Sequence, residues 1–275
     1  MKKIINVILL VVFCIFITSC GEIAATNNTI NNKRIEVEDY TISDLQDACI
    51  IASSKAEQSV VAILDQGVTS SSLGSAVVIK RVAYNNNEVV SDDSEIITKY
   101  VYCCVTNYHV IKGKTTVSYT IYLSDNTEDY KNQVSNVKVL ETNSILDLAI
   151  IQFETTTYIP VATVKNSNTL KKGQLVVAIG TPISLELFNT ASLGIISHPL
   201  RYTSLNEEMN YFIQHDAAIN PGNSGGGLFD IEGNLIGINT WRYIDSKNEV
   251  TNLSFAIPSS IIYTNYSSYI DSYVD

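Results

Sequence analysis

From residue 60 onward the apolar positions come in short bursts. Residues 60–64, 73–80, 96–106, 115–123, 134–140 and 148–153 form one group, and 174–180, 192–197, 211–214, 226–230, 235–240 and 253–257 a second. The bursts have strand length, favour Val, Ile, Thr and aromatic residues, and are separated by Gly, Asn, Asp, Ser and Pro. Many short strands without intervening helical periods predict barrels or a sandwich rather than alternating strand–helix units. Two segments differ. Ser43-Asp44-Leu45-Gln46 fits a capping box with Ser43 as N-cap, and Leu45, Cys49, Ile50 and Ala56 carry a helix to about Glu57. After Pro258, which suits a first helical turn, Ile262, Tyr266, Tyr269 and Tyr273 fall at helical spacing and predict a helix over 258–273. The polar stretch 81–95, with Asn85-Asn86-Asn87 and Ser91-Asp92-Asp93, reads as a surface hairpin loop. No internal repeat is evident.

The first forty residues follow another pattern. Lys2 and Lys3 precede an apolar run, residues 4–17, broken only by Asn6. The run is short for a membrane span and has the length of a secretory h-region. It ends in Ile17-Thr18-Ser19-Cys20, which resembles a bacterial lipobox. The resemblance implies a lipoprotein signal peptide over 1–19, cleavage before Cys20 and lipidation of its thiol. An ordinary leader and an uncleaved anchor are the alternatives. Two or more acyl chains anchor a protein stably where one does not. The expected location is the extracytoplasmic face of a bacterial cell membrane, or an outer membrane where the source has one. Residues 20–41 are rich in Asn and Thr, show no apolar period, and read as a lipidated tether spanning ~25 Å on average. The folded domain is expected over 42–275.

Composition narrows the function by exclusion. Of 275 residues, 45% are hydrophobic and 17% charged, enough to bury a core. The net charge is −10, and −12 after loss of the leader's two lysines. Such a chain is not drawn to nucleic acid or anionic lipid by charge. Five cysteines are too few for a disulfide scaffold. Cys103 and Cys104 are neighbours on a predicted strand, point to opposite faces and lack zinc-site spacing. With Cys20 lipidated, Cys49, Cys103 and Cys104 read as small buried hydrophobes. No metal or cofactor is expected. The 16 tyrosines scatter and are assigned to packing and surface.

Three motifs carry candidate chemistry. Asn220-Pro221-Gly222-Asn223-Ser224-Gly225-Gly226-Gly227 sets a serine among glycines. Glycines permit a tight path that aims amide N–H groups at one point, and serine becomes a nucleophile once a base and an oxyanion site support it. Val105-Thr106-Asn107-Tyr108-His109-Val110 places a histidine just past a strand end. Leu146-Asp147-Leu148-Ala149 leads an acid into an apolar strand, where burial demands hydrogen-bond partners. Singly these motifs also fit a hairpin turn, a structural histidine and a surface turn. Together they run His109, Asp147, Ser224 with separations of 38 and 77 residues. That is the chymotrypsin-type order, not the subtilisin or α/β-hydrolase order.

On these residues the chain resembles the trypsin-like peptidase domain of the HtrA/Deg serine proteases. Further matches are Leu73-Gly74-Ser75, Gly180-Thr181-Pro182, Gly194-Ile195-Ile196-Ser197, the run from Asp216 to Gly226, Gly237-Ile238-Asn239-Thr240 and Ser254-Phe255-Ala256-Ile257-Pro258. The resemblance implies an all-β fold of two six-stranded antiparallel barrels, about 59–155 and 170–257, with short N- and C-terminal helices and the active site between the barrels. His109 and Asp147 would lie on the first barrel and Ser224 on the second. Family members commonly carry PDZ domains after the peptidase domain, and none is expected before Asp275. Ala76 stands where a second glycine is usual, His215 where a small polar residue is usual, and the 81–95 insertion is long. These departures touch regulation, assembly and substrate choice, not the catalytic groups.

The implied activity is serine endopeptidase chemistry on unfolded or exposed protein segments, in quality control or processing. Ser224 is the nucleophile, His109 the base, Asp147 its orienting acid, and the N–H groups of Gly222 and Ser224 the oxyanion hole. Ala218, Ile219 and the strand Ile238-Asn239-Thr240 are expected to form the S1 region. No acid there would pair a basic side chain, so small or medium aliphatic residues are preferred. Substrate would add as a strand beside Asn239 and Thr240. The partners expected are polypeptides and the membrane through Cys20; oligomerisation is open. Competing readings are a non-catalytic, chaperone-like lipoprotein on the same fold and a surface adhesin.

Overall fold

The computed structural model describes residues 41–66, 71–112, 119–123, 133–205, 208–242 and 252–275. The expected signal peptide, Cys20 and the tether up to residue 40 lie outside the described residues. Helix α1 (Ile42–Glu57) opens the described chain. Strands β1 (Val60–Gln66), β2 (Ser71–Asn85), β3 (Glu88–Val90), β4 (Lys99–Thr106), β5 (Tyr119–Tyr122), β6 (Gln133–Val134), β7 (Lys138–Asn143) and β8 (Leu148–Thr155) build one sheet, with the one-turn helix α2 (Tyr108–Ile111) after β4. Strands β9 (Val164–Lys165), β10 (Leu175–Gly180), β11 (Thr190–Leu205), β12 (Glu208–His215), β13 (Gly227–Asp230), β14 (Leu235–Arg242), β15 (Ser254–Pro258) and β16 (Tyr273–Val274) build the other, and helix α3 (Ser259–Tyr266) follows β15.

The first sheet runs β6-β5-β1-β2-β4-β8-β7, with β3 on the extension of β2. In the second, β13-β10-β11-β12-β15-β14 closes on itself through the β13–β14 pairing, a ring of six, and β9 and β16 are appended outside it. The two curled sheets are the chymotrypsin-like fold. Each sheet counts eight strands rather than six because the two-residue strands β6, β9 and β16 and the hairpin strand β3 are added.

The alternation along each strand explains why the apolar bursts look continuous. Val77 and Ile79 of β2, Cys103 and Val105 of β4, and Val177 and Ile179 of β10 share one core with Phe229 and Ile257. Their neighbours point the other way. Ala76, Val78, Tyr102 and Cys104 fill the first sheet's interior, and Val176, Ala178, Ile213 and Leu228 fill the second's. Successive residues of a strand face opposite sides, so a strand buried on both faces is apolar throughout. Cys103 and Cys104 thus occupy different cores; neither is in a disulfide, and burial pushes both thiols up, away from thiolate reactivity.

Three sequence expectations change. Helix α1 starts at Ile42, so Ser43 lies inside the first turn instead of capping it, and Ala52 and Ala56 are its buried residues while Leu45 and Ile50 stay about half exposed. Its small side chains let the backbone approach the turn at 232–234, where Lys55 Nζ donates to Glu232 O at 2.9 Å. The stretch 81–95 is less loop than expected: β2 runs through to Asn85 and turns at Asn86 (φ 54°) into β3. The ion pair Arg81–Asp92 pins the remainder. The C-terminal helix is shorter than 258–273, because Tyr273–Val274 leaves it to pair in parallel with β9.

Candidate active site

The antiparallel register of β4 and β8, with Thr106 opposite Ala149, sets residues 107–109 beside Asp147. Helix α2 then turns His109 outward: its side chain is 42% exposed, that of Asp147 only 8%. Asp147 takes a left-handed backbone, φ 55°, which Asp tolerates better than most residues. In that conformation its carbonyl accepts from Tyr108 N (3.1 Å) and Asn107 Nδ2 (3.0 Å). Its carboxylate accepts three bonds. Oδ1 receives His109 N at 2.9 Å; Oδ2 pairs with His109 Nδ1 at 2.8 Å and receives Thr240 Oγ1 at 2.7 Å. The desolvation of a nearly buried acid is thereby met by donors on every side. A neutral His109 that donates from Nδ1 to Asp147 keeps Nε2 as an acceptor on its exposed side.

Ser224 lies in the turn between β12 and β13. Gly225 N donates to Asn239 O (2.9 Å) and Asn239 N to Gly226 O (2.8 Å), stitching the turn to β14. Two glycines are obligatory. Gly222 has φ +100° and a Cβ there would lie 2.2 Å from Thr181 O; Gly225 has φ +84° and its Cβ would lie 2.0 Å from Ser75 O. Ser224 Oγ donates to Thr240 O at 3.0 Å. Thr240 therefore touches Asp147 with its hydroxyl and Ser224 with its carbonyl, and His109 joins this set through Asp147.

The turn's backbone can be accounted for group by group. Ile183 N donates to Pro221 O (2.7 Å), Ser75 Oγ to Gly222 O (2.8 Å), Ser75 N to Ser224 O (2.8 Å), Asn223 N to Asn220 O (3.0 Å) and Gly226 N to Asn223 O (3.0 Å). Among the described residues, the N–H groups of Gly222 and Ser224 make no backbone hydrogen bond. These two donors, two residues apart and flanking Asn223, are where an oxyanion would be received.

The trypsin-like peptidase domain family matches residues 74–238, more than half of the chain. The chain belongs to the trypsin-like peptidase family. Within it, the chain is similar to HtrA-type members. It is 37% identical over 160 residues to the serine protease Do-like HtrA of Bacillus subtilis (strain 168), covering 57% of this chain and 33% of that one. It is 30% identical over 247 residues to the serine protease Do-like HtrB of the same organism, covering 86% and 50%. The solved HtrA-type protease AlgW with tripeptide superposes with a TM-score of 0.63 at 30% identity, covering 81% of this chain and 63% of that one. The chain spans about a third to a half of the length of these two curated relatives.

In this trypsin-like peptidase domain the expected substrate residues separate. Ala218 is exposed and Ile219 is 5% exposed. Ile238 is fully buried in the core shared by the two sheets, so it lines no open pocket. Asn239 offers no strand edge: both its backbone groups are taken by Gly225 and Gly226, and Nδ2 donates to Gly227 O at 2.8 Å. Among the described residues, the stretch 240–242 pairs with β15 alone, through Trp241 opposite Phe255 and Arg242 opposite Ser254, and none of them pairs along its other edge. Trp241, which sequence reasoning passed over, stacks on Phe255 with centroids 4.4 Å apart. His215 is fully buried, neither ring nitrogen meets a partner with hydrogen-bond geometry among the described residues, and burial lowers its pKa to about 4.

Proposed function

We propose that the chain is a serine endopeptidase that cleaves exposed or unfolded polypeptide segments through an acyl-enzyme. The carrying observation is the Asp147–His109 pair at 2.8 Å, set beside a serine turn whose uncommitted N–H groups are those of Gly222 and Ser224. In the resting protein the Ser224 hydroxyl is parked on Thr240 O. Substrate binding exchanges that partner for His109 Nε2, which takes the proton as Oγ attacks the carbonyl carbon. The carbonyl oxygen becomes an oxyanion received by Gly222 N and Ser224 N. His109 then protonates the leaving amine, and water repeats the sequence on the ester, returning Ser224. Asp147 keeps the Nδ1 tautomer and stabilises the imidazolium. The extended substrate pairs along the edge of 240–242 that faces away from β15.

The leader and the Ile17-Thr18-Ser19-Cys20 motif support a lipid-anchored protein on the extracytoplasmic face, acting in protein quality control or processing. Incubating fluorescent casein with the protein and with Ser224→Ala tests the activity. Cleavage by the first and none by the second is expected; equal cleavage removes Ser224 from the mechanism.

A further inference from the structure

Ser75 lies on β2 of the first sheet, yet three of its four polar contacts reach loops of the second. Its N–H donates to Ser224 O at 2.8 Å and its hydroxyl to Gly222 O at 2.8 Å. The same hydroxyl accepts from Thr181 N at 3.0 Å, and its carbonyl accepts from Thr106 Oγ1 at 2.6 Å. The residue is fully buried. One hydroxyl thus joins two loops of the second sheet, the segment after β10 and the serine turn, to a strand of the first. Water cannot replace it at a site with no solvent access.

We propose that Ser75 is the positioning residue of the oxyanion hole, a role that rests on the acyl-enzyme reading above. The logic is that of peptide planes. A trans peptide is rigid, so fixing a carbonyl fixes the N–H at the other end of the same plane. The Ser75 hydroxyl fixes the Gly222–Asn223 plane and the Ser75 N–H fixes the Ser224–Gly225 plane. The Asn223–Ser224 plane, which carries the Ser224 N–H, is held at its own carbonyl by Gly226 N at 3.0 Å and lies between two planes that Ser75 holds. The Pro221–Gly222 plane, which carries the Gly222 N–H, is held by Ile183 N, and Thr181, two residues before Ile183, is itself tied to the Ser75 hydroxyl. Gly222, at φ +100°, has no side chain to restrict rotation of either adjacent plane. The external hydroxyl supplies that restriction. Donors aimed in advance at the developing charge contribute to rate and not to substrate binding.

Two variants separate hydrogen bonding from packing. Ser75→Ala removes the hydroxyl; Ser75→Cys keeps the volume but offers only a weak donor and acceptor. Each is assayed for kcat and KM on fluorescent casein, for the rate of phosphonylation by a fluorophosphonate, whose P–O oxygen occupies the same hole, and for Tm. Expected for both variants is a fall in kcat and in phosphonylation rate of about 10- to 100-fold, with KM within about twofold. A lower Tm with kcat and phosphonylation within about threefold of wild type would show Ser75 to be structural only and overturn the proposal. So would a defect in Ser75→Ala that Ser75→Cys restores, because that defect is packing. A wild-type protein that neither cleaves casein nor reacts with the fluorophosphonate overturns the acyl-enzyme reading, and this role with it.

Discussion

Asp147→Asn is the change whose consequence the geometry defines most tightly. The carboxylate accepts from His109 N through Oδ1, and from His109 Nδ1 and Thr240 Oγ1 through Oδ2. An amide has one oxygen. If that oxygen stays with His109 N, the NH2 faces Nδ1, which must then become the acceptor, and the imidazole proton moves to Nε2. The ring can no longer take the Ser224 proton. If the amide flips, its NH2 opposes the His109 N–H, two donors face to face. The first arrangement avoids that clash and is the one expected. The wrong tautomer costs about 10⁴ in kcat, or about 5.5 kcal/mol of transition-state stabilisation. The fold should persist, since Asn accepts a left-handed backbone as readily as Asp. The lost charge-assisted bonds cost about 1.5–3 kcal/mol of stability. Casein turnover together with urea unfolding reads both quantities. An Asp147→Asn protein turning over within tenfold of wild type would refute the tautomer argument; one that fails to fold would refute the claim that the site tolerates the amide.

Other consequences follow from the same structure. His215 has an unfolded pKa near ~6.5 and a folded value lowered by burial to about 4. Below pH 6.5 the unfolded chain therefore binds a proton that the folded chain refuses, so stability falls with pH. His215→Thr should remove about 2–3 kcal/mol of the loss seen by urea unfolding between pH 7 and 4.5; equal pH slopes in the two proteins would contradict this. Gly222→Ala forces a Cβ to 2.2 Å from Thr181 O at a strained φ, and should lower kcat at least about 100-fold, with a lower Tm; an unaffected kcat would mean that the turn is not the oxyanion site. Cys20→Ser should abolish incorporation of labelled fatty acid, and unchanged labelling would end the lipobox assignment.

The strand pattern was readable because these strands are buried on both faces, which writes them as unbroken apolar runs. The inward face of helix α1 is not written in its sequence in the same way. Alanines that allow close backbone approach carry little signal beside Leu45 and Ile50, which the fold leaves half exposed. His109, Asp147 and Ser224 stood out because strand ends and glycine turns frame them. The linking residues did not. Thr240 looks like any strand threonine until its hydroxyl is seen on Asp147, 93 residues away. Ser75 reaches Gly222 across 147 residues and Thr181 across 106. No local pattern records such contacts, since they arise only when the two sheets close on one another.

The central claim is that Ser224 is a nucleophile activated by His109 and Asp147. The most direct measurement is the intact mass of the folded protein after exposure to a fluorophosphonate, with the modified residue located by peptide mapping. The account predicts a single adduct on Ser224, absent in Ser224→Ala and formed at least about 10³-fold more slowly in His109→Ala. An unmodified wild-type protein, or an adduct that survives in Ser224→Ala, would contradict it.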